Sequence, residues 1–138
     1  MQSYGLTFVY QVNKLLKKWK EGINILENGI NKDEKNKKLK KEIDLAVHIY
    51  LCLKSCINII DFYRNLREYK KGKKEKLERI KKIMKNELEI TKTDFEIFKR
   101  NPDFGYHSEA FEKFLKKSDY LYKIKLIQEQ LLKFRHQI

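Results

Sequence analysis

The stretch Leu45–Ile60, LAVHIYLCLKSCINII, decides the fold. It is the longest apolar run in the chain, and it carries His48, Lys54 and Asn58. Sixteen residues fall short of the roughly 20 that cross a bilayer. The run therefore reads as the middle of a buried central helix. Extended outward, it resolves into two seams. One is Leu39, Ile43, Ala46, Tyr50, Leu53, Ile57 and Ile60; the other is Leu45, Ile49, Cys52, Cys56, Ile59, Tyr63 and Leu66. Both advance in alternating steps of 4 and 3, the repeat of helices packed side by side. Two seams on one helix predict neighbours on two sides and a mostly buried circumference. Asp44, His48, Ser55, Asn58 and Asp61 make up the remaining stripe. The predicted helix covers 33–69, with Asp33 as a candidate cap, and at 1.5 Å per residue it is about 55 Å long.

The same repeat continues on either side. Val12, Leu16, Trp19, Ile23, Leu26 and Ile30 predict a first helix over 6–28, with Phe8, Val9 and Leu15 widening its stripe. Gly29 is placed to end it in the left-handed conformation. Gly72, inside a run of lysines, marks the next break. Leu77, Ile80, Met84, Leu88, Thr91, Phe95 and Phe98 then predict a helix over 74–99, flanked by Ile83, Ile90 and Ile97. Asn101-Pro102 stops it, since the residue before proline avoids helical geometry. A short helix is expected over 108–117. A last one opens at Ser118-Asp119, with Leu121, Ile124, Ile127 or Gln128, Leu131 and Phe134 as its seam. The expected fold is all-α: one domain, an up-and-down bundle of three to four long helices plus a short helix. Five glycines and one proline in 138 residues agree with long helices and few connections.

The formal net charge is +13, which suggests anionic partners. From Arg64 to Lys85 there are 11 Lys and Arg against 3 Glu, so +8 of it falls in one hairpin. Arg67, Lys70, Lys71, Lys73 and Lys74 are its candidate phosphate contacts, because neutralising phosphates needs such clustering. No groove-entering motif or set of base-stacking aromatics accompanies them. A solvated hairpin tip is the plainer reading of the run.

Cys52 and Cys56 are four apart on a helix, a poor geometry for a disulfide. They read as reduced, buried and inert, which fits a cytoplasmic protein. No signal peptide is visible in Met1–Tyr10. His48 lies one turn from Asp44 and from Cys52. A zinc site needs three or four ligands, and His107 and His136 have no spacing that joins them, so no metal is expected. Glu87, Glu89 and Glu96 fall on a polar helix surface among lysines, with no pocket to separate their pKa values. Phosphate-loop, nucleophile-elbow and HExxH motifs are absent from the sequence. Neither catalysis nor a cofactor is expected.

One segment escapes helical periodicity: Asn101-Pro102-Asp103-Phe104-Gly105-Tyr106-His107-Ser108-Glu109-Ala110. It reads as a rigid aromatic turn that plugs one end of the bundle, or as a surface that contacts a partner. This segment resembles a turn near the C-terminus of large bacterial glycoside-hydrolase-like proteins, in which a D-x-R-x-G-[FYW]-x-x-E-A-like stretch precedes a final helix. Gly105, Tyr106, Glu109 and Ala110 match; Asn101 and Asp103 depart from the expected acid and base. Trp19 with Gly22, and Asn58 with Phe62-Tyr63-Arg64 and Leu66-Arg67, look similar as well. The resemblance implies a helical accessory domain without the catalytic barrel, acting by packing on another domain or chain. Phe104, Gly105, Tyr106, His107 and Glu109 are then the candidate partner contacts. The expected partner is a protein, a missing catalytic domain or a second copy; nucleic acid is the alternative, and no membrane is expected.

Overall fold

The computed structural model describes the backbone of residues 2–32, 35–104, 106–107, 112–113 and 115–135, and the side chains of residues 6–32, 35–104 and 115–134. The protein is all-α. Among the described residues the elements are α1 (Gln2–Ile30), α2 (Lys37–Lys70), α3 (Lys76–Arg100), a two-residue ladder of β1 (Tyr106–His107) and β2 (Glu112–Lys113), and α4 (Lys117–Arg135). The ladder is antiparallel, Tyr106 facing Lys113 and His107 facing Glu112. It replaces part of the short helix expected over 108–117. Residues 108–111 and 114 of that prediction lie outside the described residues, Leu115 and Lys116 are not helical, and Lys117 opens α4. The chain groups into two compact units, Met1–Ile57 and Asn58–Ile138, with the boundary inside α2.

In the first unit α1 buries Val12, Leu16 and Ile23, three members of the expected seam. The Trp19 indole Nε1 donates to the Ala46 carbonyl at 2.8 Å, which ties α1 to α2 through a polar tip on an apolar ring. Gly29 is not a left-handed cap. It lies inside α1, where a Cβ would sit 3.6 Å from Leu39 Cδ2. The cap of α2 is Asn36: its Oδ1 accepts the Leu39 amide at 2.9 Å, and its carbonyl accepts the Lys40 amide. Asn is a strong cap because it satisfies an amide that the first turn leaves without a helical partner. The proposed cap Asp33 lies outside the described residues.

The second unit holds the better-formed core. α3 buries Ile80, Ile83, Met84, Leu88, Ile90, Thr91, Phe95, Ile97 and Phe98, so the flanks and all of the expected seam but the half-buried Leu77 are covered. Tyr120 of α4 stacks on Phe95, centroids 5.3 Å apart, and tilts against Phe98 at 5.2 Å. Leu115 and Ile124 pack around this aromatic cluster. The Tyr120 hydroxyl donates to the buried Asp94 carboxylate at 2.8 Å. Tyr120 therefore takes the inward place that the sequence assigned to Leu121, which is exposed. Asn101 closes α3 twice over: its backbone amide reaches Ile97 O and Phe98 O, and its side-chain amide reaches Ile97 O at 3.1 Å. Gly72, with φ of 97°, makes the left-handed turn between α2 and α3, which other residues adopt only with strain.

The central helix departs most from expectation. Leu51 is its one buried residue among those described. The first seam, from Leu39 to Ile60, is half-buried throughout. In the second seam Leu45 (39 %), Ile59 (50 %) and Tyr63 (62 %) are exposed, as are Cys52 and Cys56. The cysteines are not buried, and Tyr63 is not a core residue. Periodicity identifies residues that share a face; it carries no information on whether a neighbour covers that face.

Candidate docking surface

The exposed members of the second seam are Leu45, Cys52, Cys56, Ile59 and Tyr63, at intervals of 7, 4, 3 and 4. At 100° per residue these side chains fall within a stripe about 60° wide. Leu45 to Tyr63 is 18 residues of rise, so the stripe is about 27 Å long. An 18-residue window of α2 has a mean hydropathy of 1.6 with 6 % of it buried, and by length and composition the helix is apolar enough to cross a membrane. A soluble helix with such a window normally buries it. This one keeps Leu45, Cys52, Cys56, Ile59 and Tyr63 exposed among the described residues.

At its C-terminal end the stripe enters a groove of the second unit, about 350 Å³ in volume. Ile59, Phe62 and Tyr63 of α2 form one wall, and Leu126 and Ile127 of α4 form the other. The Phe62 and Tyr63 rings meet edge to face, 5.5 Å apart at 81°. The floor holds Ile83, Met84 and Glu87 of α3. Glu87 is buried, not on the polar surface that the sequence suggested. Its Oε1 accepts Lys123 Nζ at 2.6 Å and its Oε2 accepts Asn58 Nδ2 at 2.7 Å. Asn58 also donates to Asn86 Oδ1 at 2.9 Å. The carboxylate is thus engaged on both oxygens by the groove's own residues, and the surface left to a visitor is chiefly apolar.

The first unit has a second apolar groove, about 430 Å³, over Gly22. Leu15, Trp19, Ile25 and Leu26 line it with Ala46. A Cβ on Gly22 would meet nothing within 4 Å. Ile25 and Leu15 stand exposed at its edge, as does Phe8 further up α1.

The basic hairpin is partly neutralised in place. Lys71 (3.3 Å) and Lys73 both bond Glu68, Arg79 (3.4 Å) and Arg64 (3.6 Å) both approach Asp61, and Lys81 reaches Glu78 at 2.9 Å. The hydrogen bonds from Lys73 and then Lys71 hold the Glu68 carboxyl below its ordinary range, and Glu68 in turn raises Lys73. Arg67, Lys70 and Lys74 are exposed beside them. These cations line the end of α2 and the following turn and present no recognition helix or stacking aromatic of their own.

No protein-family model, curated protein or solved structure matches the chain.

The predicted partner contacts divide as follows. Phe104 is buried. Tyr106 and His107 are placed as backbone in the ladder. Gly105 and Glu109 lie outside the described residues. His48 and Cys52 do come side by side, Nε2 3.9 Å from Sγ, which suits two of the three or four ligands of a zinc site. What sequence reasoning missed is the groove around Glu87. Its signal was present in Glu87 itself, an acid between Ile83, Met84, Leu88 and Ile90 at core spacing. A charge on a core face is a polar group that must find partners.

Proposed function

We propose that the protein is a non-catalytic helical module that works by docking against another domain or chain along the second seam of α2 and the groove it enters. The exposed heptad stripe carries this reading, because an exposed apolar seam of coiled-coil spacing marks a face where another helix can pack. The polar groups of the groove support a docking role over chemistry. Glu87, Asn58 and Lys123 satisfy one another, whereas a catalytic carboxylate has to face a reacting group. The catalytic barrel implied by the resemblance is a narrower form of the same proposal.

Calorimetric titration with a 28-residue helical peptide tests it, the peptide carrying leucines at heptad spacing and neutral flanks. Binding with a negative heat-capacity change, the mark of apolar burial, is expected, and Ile59→Asp should abolish it. Absence of binding, or binding indifferent to Ile59→Asp, would contradict the proposal. The basic hairpin makes nucleic acid the second reading. A salt-steep shift of duplex or single-stranded nucleic acid, lost on reversing Arg67 and Lys70, would favour that one instead.

A further inference from the structure

We infer that the occupant of the α2 seam is a helix with an apolar heptad stripe and acidic residues at both of its ends. This rests on the docking role proposed above and adds the chemistry of the partner.

The apolar stripe from Leu45 to Tyr63 is bracketed by cations. Lys37, Lys38, Lys40 and Lys41 precede it, with Glu42 offsetting one of them. Arg67 and Lys70, both exposed, follow it; Arg64 and Lys71 stand beside them, already paired with Asp61 and Glu68. In heptad register the seam residues occupy the two core positions. Lys38 and Lys70 then continue those positions at either end, while Arg67 falls at a flanking position of the kind that sets partner choice in coiled coils. A second copy of the chain is disfavoured by this arrangement. In parallel pairing each basic end meets its own copy; in antiparallel pairing the two basic ends meet each other. Like charges juxtaposed in this way disfavour the complex and exclude wrong partners. The formal charge of +13 adds repulsion at longer range.

A lipid surface fits less well. A helix lying in a bilayer interface presents a broad apolar face opposite a charged one. Here the exposed stripe is narrow, and apolar residues of the half-buried first seam (Ile43, Tyr50, Leu53, Ile57) lie on another side of the helix. One-stripe exposure at 4 and 3 spacing is the footprint of one helix. Acidic groups about 44 Å apart on that helix, matching the 29 residues of rise from Lys38 to Arg67, would meet both clusters.

The test uses the full chain and three fluorescein-labelled peptides that share one leucine heptad stripe and differ in their flanks: glutamate, glutamine or lysine. At low salt the glutamate-flanked peptide is expected to bind at least tenfold more tightly than the glutamine one, and the lysine-flanked peptide more weakly than either. The advantage should shrink at 0.5 M salt. The double variant Arg67→Glu, Lys70→Glu should reduce the glutamate preference while leaving the glutamine peptide unaffected. Ile59→Asp, at an exposed site where folding is not at risk, should weaken all three. Equal binding of the three peptides overturns the acidic partner and leaves the docking role standing. Glutamate-peptide binding that ignores Ile59→Asp overturns both. A seam-dependent dimer in sedimentation overturns it in favour of a second copy. Seam-dependent pelleting with phosphatidylserine vesicles, without peptide binding, overturns it in favour of lipid.

Discussion

Replacing Lys123 by methionine separates a groove built for an apolar helix from one built around a charge. Lys123 Nζ lies 2.6 Å from Glu87 Oε1, and the Lys123 side chain is 42 % exposed while that of Glu87 is 11 % exposed. An ion pair at the surface contributes about 0.2–1 kcal/mol. Breaking a fully buried one costs about 3–5 kcal/mol, because a charge is left without its partner. With one partner buried and the other half in water, Lys123→Met should cost about 1–2 kcal/mol in urea unfolding, between those limits. Asn58 stays on Oε2, so the carboxylate keeps one donor from this set. Adding Glu87→Gln to Lys123→Met should recover part of the loss, with a coupling energy of about 1 kcal/mol in the double-mutant cycle. Peptide affinity should not fall in Lys123→Met, since the change leaves the groove rim more apolar. An unfolding free energy within 0.3 kcal/mol of the parent (roughly the error of such comparisons), or loss of peptide binding in this variant, would refute the reasoning.

Three further outcomes follow from the same geometry. Ile80→Ala, at a fully buried site, should cost about 2–5 kcal/mol in denaturant unfolding, whereas Ile25→Ala, 71 % exposed, should stay within about 0.5 kcal/mol; equal effects would contradict the burial pattern. Gly72→Ala should destabilise by about 1–2 kcal/mol because φ of 97° is strained for alanine, and a neutral result in thermal melts would show that the turn relaxes. The Glu68 carboxyl should titrate below its ordinary 4.5 in carbon-detected NMR and move back up in Lys73→Ala. Its pairing supports folding above that ordinary value and is lost as pH falls through the lowered one, while the Lys73 side of the pair is present below 10.5 and lost as pH rises past it. Lys73 is exposed and Glu68 half-exposed, so salt should flatten the effect, and a Glu68 midpoint unmoved by Lys73→Ala would refute the pairing.

Much of the fold was legible because helical periodicity is written locally. Val12, Leu16 and Ile23 of the α1 seam, and the α3 seam from Ile80 onward, are buried where the 4 and 3 steps put them, and Gly72 and Asn101-Pro102 break the chain as their backbone preferences require. Less local features were not legible. Asn36 rather than Gly29 or Asp33 supplies a readable cap, because several polar residues compete at that connection and only geometry chooses among them. Tyr120 displaced Leu121 from the core because its hydroxyl finds Asp94, a partner 26 residues away. The second seam of α2 had the spacing of a buried face, and only the positions of other elements could show that it is open. The groove at Glu87 joins three helices, and no single stretch of sequence contains it.

Native-state thiol modification tests the open seam most directly, since Cys52 and Cys56 lie in the middle of it. With N-ethylmaleimide at neutral pH both thiols should react in the folded protein within about tenfold of their rates in denaturant, and a saturating seam-binding peptide should slow them together. Thiols that stay unreacted until the protein unfolds would mean that α2 is covered on this side, and the docking surface would not exist.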